Sequence, residues 1–96
     1  MDDTRQAAAR QGLGQLWQTL LDLPPTQPLS DDSHFLELGG GSMLLLSLQV
    51  AIAREFAVEL AVDALLARPT LGQMSALLLQ ALAQAARESA VSEHRP

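Results

Sequence analysis

His34-Phe35-Leu36-Glu37-Leu38-Gly39-Gly40-Gly41-Ser42-Met43 joins a polar, proline-containing loop to the most apolar segment of the chain. Three glycines in a row remove every side chain just ahead of Ser42 and open backbone angles closed to other residues. An apolar run from Met43 to Phe56 follows, so Ser42 stands where a helix N-cap is expected. The pattern therefore places one small hydroxyl at the tip of a helix, with nothing bulky before it. The backbone N–H groups at such a tip lack partners and favour negative charge. A phosphate carried on Ser42 would sit in a compatible field. The same residues are also compatible with a plain flexible turn followed by a capping serine. A P-loop is excluded, because no Lys follows the glycines and none occurs in the chain. A dinucleotide-binding fingerprint is excluded because the chain is too short for the βαβ sheet around it.

Working outward, the residues after Ser42 read as a helix to about Phe56. Leu45, Leu48, Ile52 and Phe56 recur at helical spacing and are assigned to the core. Met43, Leu46, Val50 and Arg54 project from roughly the opposite side. Three of these are apolar on a face that a surface helix normally keeps polar, which marks a candidate docking patch. Upstream, residues 4–21 read as a first helix with Leu13, Leu16, Trp17, Leu20 and Leu21 on one stripe. Asp3 or Thr4 is expected to cap it, and Gly12 and Gly14 to weaken its middle, leaving 13–21 as the firm part. Trp17 is assigned to the core. Pro24 and Pro25 stop this helix. In the loop that follows, Asp31-Asp32-Ser33 is expected to cap a short turn through Phe35 and Leu38, and His34 is read as an exposed loop residue.

Downstream, Val58–Leu60 is a short connection and Asp63–Leu66 a short third helix ended by Arg68-Pro69. Thr70-x-x-Gln73 has the spacing of a capping box and opens a last helix. Leu71, Met74, Leu77, Leu78, Ala81 and Leu82 form its apolar stripe. Residues 87–96 are expected to fray, with His94 solvated. The fold class predicted is all-α: a four-helix bundle with three main helices and one short one. Abundant helix formers and few β-branched residues favour this class. One domain over residues 1–96 is expected, with its core at about 10–85.

The 96 residues carry a net charge of −5 and are 48% hydrophobic. An acidic chain of this kind argues against binding a nucleic-acid backbone and fits a surface that meets basic partners. Cysteine is absent, so thiol chemistry would need an added group. No signal peptide is visible, and the uncharged run Gly39–Ala53 is too short to span a bilayer. A cytoplasmic monomer that binds no membrane is expected. His34 and His94 lie in a loop and a tail, where neither suits a base that activates Ser42. The sequence offers no catalytic set and no metal site.

Phe35-Leu36-Glu37-Leu38-Gly39-Gly40-Gly41-Ser42-Met43 resembles the attachment motif of phosphopantetheine carrier proteins, nearest to the peptidyl type of nonribosomal peptide synthetases. Phe56-Ala57-Val58-Glu59-Leu60 and Leu65-Leu66-Ala67-Arg68-Pro69-Thr70-Leu71 resemble two further motifs of that family, and the likeness covers about residues 10–85. Ser33 stands where the family usually has Asp, Leu36 where it has a second Phe, and Ala61 where it often has Pro. Leu36 is expected to keep the apolar burial of that Phe. The resemblance implies that Ser42, supported by Gly39, Gly40 and Gly41, carries a covalent 4′-phosphopantetheine drawn from coenzyme A. It implies a non-catalytic carrier whose arm holds an aminoacyl or acyl group as a thioester. The implied partners are a phosphopantetheinyl transferase, an adenylation or other acyl-loading enzyme, and a condensation, ketosynthase or tailoring enzyme. A freestanding peptidyl-type carrier in natural-product biosynthesis is the first reading. An acyl carrier for polyketide or fatty-acid chemistry and an unmodified helical docking or adaptor domain are the alternatives.

Overall fold

The computed structural model describes the backbone of residues 2–93 and the side chains of residues 4–88. His94 and the end of the expected frayed tail lie outside the described residues. Four helices are present among the described residues: α1 (Asp2–Leu20), α2 (Ser42–Phe56), α3 (Val62–Ala67) and α4 (Leu71–Glu93). This is the expected all-α bundle of three longer helices and one short one. One isolated antiparallel bridge, His34 to Thr70, is the sole strand-like pairing among the described residues.

The core follows the periodic stripes. α1 buries Ala9, Leu13 and Trp17; α2 buries Leu45, Leu48 and Ile52; α4 buries Leu71, Met74 and Leu78. Leu65 enters from α3, while Phe35, Val58 and Leu60 enter from the connections. Phe56, expected in the core, is half-buried and packs against its edge. Trp17 and Phe35 meet edge to face, with ring centroids 5.1 Å apart at 70°. That arrangement sets the positive edge of one ring on the negative face of the other.

Several ends differ from expectation. α1 starts at Asp2, so Asp3 and Thr4 fall inside its first turn, past the position expected for a cap, and the Asp3 side chain lies outside the described residues. It also runs unbroken through Gly12 and Gly14. Gly12 has a packing role, because a Cβ there would lie 2.8 Å from Phe56 Cζ. Its missing side chain lets α1 and α2 approach, and that contact outweighs its low helix propensity. Past Arg87, where the tail is expected to fray, α4 continues to Glu93. Residues 80–93 contain neither Gly nor Pro and are rich in Ala, so propensity carries the helix onward.

Three local features mark the ends of α2 and α4 and the connection to α3. The Thr70–Gln73 capping box is formed: Gln73 N–H donates to Thr70 Oγ1 at 3.2 Å and Thr70 N–H to Gln73 Oε1 at 3.4 Å. α2 ends at Ala57, which adopts the left-handed conformation (φ 58°, ψ 34°) and donates its N–H to Ala53 O. Gln49 Nε2 then donates to Leu60 O at 2.7 Å and ties the α2–α3 connection to α2.

Two stability measurements check this packing. Leu48→Ala opens a cavity at a fully buried site and should cost about 2–5 kcal/mol in a denaturant melt. Ala57→Gly relieves a Cβ from the left-handed region and should stabilise by about 0.5–1 kcal/mol. A loss of stability in that variant would contradict the left-handed cap.

Candidate functional site

The loop before α2 is stitched to the start of α4. Phe35 N–H donates to Pro69 O and Leu71 N–H to Ser33 O, both at 2.9 Å, and Gly72 N–H donates to Asp31 O at 3.0 Å. Phe35 therefore has a fixed backbone as well as a fully buried ring. Ser33 Oγ accepts from Ser30 N–H at 2.9 Å, so Ser33 closes the preceding turn instead of capping the one through Phe35 and Leu38. His34 caps that turn. Its Nδ1 accepts from Leu36 N–H at 3.2 Å and Glu37 N–H at 3.4 Å. His34 is half-buried, not the exposed loop residue expected. Leu36, expected to be buried, is 39% exposed.

The turn closes as a Schellman motif. Leu38 N–H bonds His34 O at 3.0 Å, Gly40 N–H bonds Phe35 O at 2.9 Å, and Gly39 N–H bonds Leu36 O at 3.2 Å. Gly39 takes the left-handed position with φ 107°, which L side chains rarely adopt. Gly40 lies on the Phe35 ring, and a Cβ there would fall 2.7 Å from Phe35 O as well as into the ring. Gly41 differs: its φ of −136° is ordinary, and a Cβ there would meet nothing within 4 Å among the described residues.

Gly41, not Ser42, is the N-cap of α2. Ser42 is the first helical residue, and no side chain caps this end among the described residues. Glycine has no side-chain oxygen to offer the first turn, so those N–H groups stay unpaired. The first turn of α2 also contains no acidic residue. Ser42 is exposed, its hydroxyl is not committed to a cap, and it lies at the positive end of the helix dipole. These features suit a phosphodiester at Ser42 Oγ: the position has room, and the dipole favours the added charge.

On the solvent side of α2, Met43 is 76% exposed, Leu46 48% and Val50 51%, with Arg54 exposed in line with them. Leu66 on α3, 51% exposed, is another large apolar side chain left in solvent. Periodicity could not flag it, because six residues of α3 are too few to define a face. Exposed Glu37, Glu59 and Asp63 lie on the connecting loops and at the start of α3.

Paired substitutions test this geometry. Gly40→Ala must push Phe35 off Trp17 and should destabilise by about 1–3 kcal/mol. Gly41→Ala meets open space and should melt within about 0.5 kcal/mol of wild type. Equal losses at the two positions would contradict the arrangement of this turn.

Residues 11–78 match the model of a family described as "Phosphopantetheine attachment site". The hybrid PKS-NRPS synthetase tasS of Hapsidospora irregularis is 42% identical over 74 residues, 74% of this chain. The nonribosomal peptide synthetase echPS of Aspergillus ruber is 33% identical over 78 residues, 81% of this chain. The chain spans only 2% of the first synthetase and 4% of the second. Among solved structures, the non-covalent docking domain complex of the Pax NRPS, PaxA T1-CDD with PaxB NDD, superposes with a TM-score of 0.69 at 27% identity. That match covers 91% of this chain and 84% of the other. Among the described residues, no helix is long and apolar enough to cross a membrane. Four helices around one core, a glycine-built turn leading into α2, and a family match that spans both make this chain a member of the phosphopantetheine attachment-site family, a carrier domain of the kind found in PKS and NRPS machinery.

Proposed function

We propose that Ser42 Oγ is the attachment point for 4′-phosphopantetheine and that the domain is a peptidyl-type carrier. The observation that carries this reading is the uncommitted, exposed Ser42 hydroxyl at the first position of α2. In the modification, Ser42 Oγ attacks the β-phosphorus of coenzyme A, adenosine 3′,5′-bisphosphate leaves, and the serine proton passes to a base on the transferase. The bound group supplies a terminal thiol that takes cargo in thioester linkage. This chain's own residues contribute position and field: Gly39 and Gly40 shape the turn, Gly41 leaves the approach open, and the α2 N-terminus faces the new negative charge. Bond making belongs to partner enzymes.

Aminoacyl or peptidyl cargo is favoured by the Gly-Gly-Gly-Ser-Met context and by the likeness to the solved docking domain complex of the Pax NRPS. Acyl cargo is the second reading, favoured by relatives that are hybrid PKS-NRPS synthetases. The stripe Met43, Leu46, Val50 and Arg54 is proposed as the docking patch for the transferase and the loading enzymes. Glu37, Glu59 and Asp63 would steer a basic partner towards it.

Incubation with coenzyme A and a broad-specificity phosphopantetheinyl transferase should add one phosphopantetheine, and peptide mapping should place it on Ser42. Ser42→Ala should stay unmodified while melting within about 0.5 kcal/mol of wild type, since no cap is lost. An adduct on Ser30, Ser33 or Ser47 would overturn the assignment, and an unmodified wild type would favour an adaptor domain. Loading of the modified protein by an adenylation domain, against an acyltransferase, separates the two cargo classes.

Leu46→Asp and Val50→Asp should keep the circular dichroism of wild type, because both side chains are about half exposed. They should raise the apparent KM of the transferase or loading enzyme about tenfold. Unchanged kinetics with every partner would reduce the stripe to ordinary surface.

A further inference from the structure

The three glycines and Ser42 are held at one end by α2. What holds the other end is a histidine. The backbone around His34 is clamped to the first residues of α4 by the bonds Phe35 N–H to Pro69 O and Leu71 N–H to Ser33 O. From that fixed point the chain makes a single turn, 34–38, closed by Leu38 N–H on His34 O. The first N–H groups of a turn have no partner within it, as at any helix start. His34 supplies one. Its Nδ1 lies 3.2 Å from Leu36 N and 3.4 Å from Glu37 N, the second and third residues after itself. These are the groups that the side-chain oxygen of an N-cap Asn, Asp or Ser takes. Backbone amides only donate, so Nδ1 is the unprotonated nitrogen and the ring is held in the tautomer with hydrogen on Nε2.

We infer that His34 is a positioning residue for the modification of Ser42: its imidazole caps the turn that aims Gly39–Gly41 and thereby fixes where the Ser42 hydroxyl stands. The inference rests on the reading of Ser42 as the attachment residue. The transmission runs through named bonds. The cap orders Leu36 and Glu37; Leu36 O and Phe35 O receive Gly39 N–H and Gly40 N–H; Gly40 is pressed on the Phe35 ring; and Gly41 O accepts the first intrahelical bond of α2 from Leu45 N–H at 2.9 Å. Loss of the cap leaves Met43, Leu46 and Val50 untouched, since they are on α2 itself. The effect should therefore fall on the hydroxyl and not on the docking patch.

The test compares wild type, His34→Phe and His34→Asn as substrates of a broad-specificity phosphopantetheinyl transferase with coenzyme A, followed by intact mass over time. Phe keeps a ring but loses the acceptor; Asn loses the ring but restores an acceptor to the same N–H groups. H34F should lower kcat about ten- to a hundredfold, the scale of a misplaced reacting group. KM should stay within about twofold, because binding energy common to ground and transition state is kept. H34N should recover the wild-type kcat. Should H34F unfold by circular dichroism, His34→Ala removes the acceptor without adding bulk and carries the same comparison. Wild-type kcat in H34F or H34A overturns the inference. So does a raised KM at constant kcat, which would make His34 a partner contact, and so does an H34N that fails to recover. A wild-type protein left unmodified overturns the reading of Ser42 and this inference with it, whereas a modified wild type with an indifferent H34F overturns this inference alone.

Discussion

Phe35 is held by every group it has. Its ring is fully buried and meets Trp17 edge-on, its N–H bonds Pro69 O, and its carbonyl receives Gly40 N–H. Gly40 packs against the same ring, so close that a Cβ there would overlap it. One residue thus joins α1, the start of α4 and the turn before Ser42. That joint converts a stretch of three glycines into a defined path leading to Ser42. Glycines alone would leave the hydroxyl free to wander, at a cost in conformational entropy each time a partner had to catch it.

α2 then has two tasks on two faces. Its inner face, Leu45, Leu48 and Ile52, fixes the helix in the core, and its outer face leaves Met43, Leu46 and Val50 in water. Burial of the first set stabilises by roughly 1.5–3 kcal/mol for each side chain, so the second set can stay exposed without endangering the fold. The Gln49–Leu60 bond adds a lateral tether, which ties the connection leading into α3 back to α2.

The sequence was most legible where the signal was periodic or local. The buried and exposed faces of α2 followed from helical spacing, and the Thr70–Gln73 box followed from two residue types at a fixed distance. What escaped had other causes. Ser42 sits one position inside the expected cap, because a glycine with suitable backbone angles can take the cap position without any side-chain bond. His34 carries no sequence signal of a cap, because imidazole rarely plays that part, although its Nδ1 reaches the same N–H groups as a short polar side chain. Leu36 was expected to be buried by analogy with the Phe that relatives carry, yet it is partly in water. Asp3, Thr4 and the 87–93 segment show the usual weakness at helix ends, where propensity continues a helix past the last residue that packing requires.

The three glycines are not equivalent, and the difference has an evolutionary consequence. Gly39 is tied to its conformation and Gly40 to its contact with Phe35, so drift at either position disturbs the joint. Gly41 is bound by neither constraint. It immediately precedes the Ser42 hydroxyl, and a Cβ placed there would meet nothing within 4 Å among the described residues. Selection can therefore rewrite the charge and shape next to Ser42 at this one position while the fold stays silent. The neighbourhood of the hydroxyl is in this sense a replaceable label set into a fixed frame.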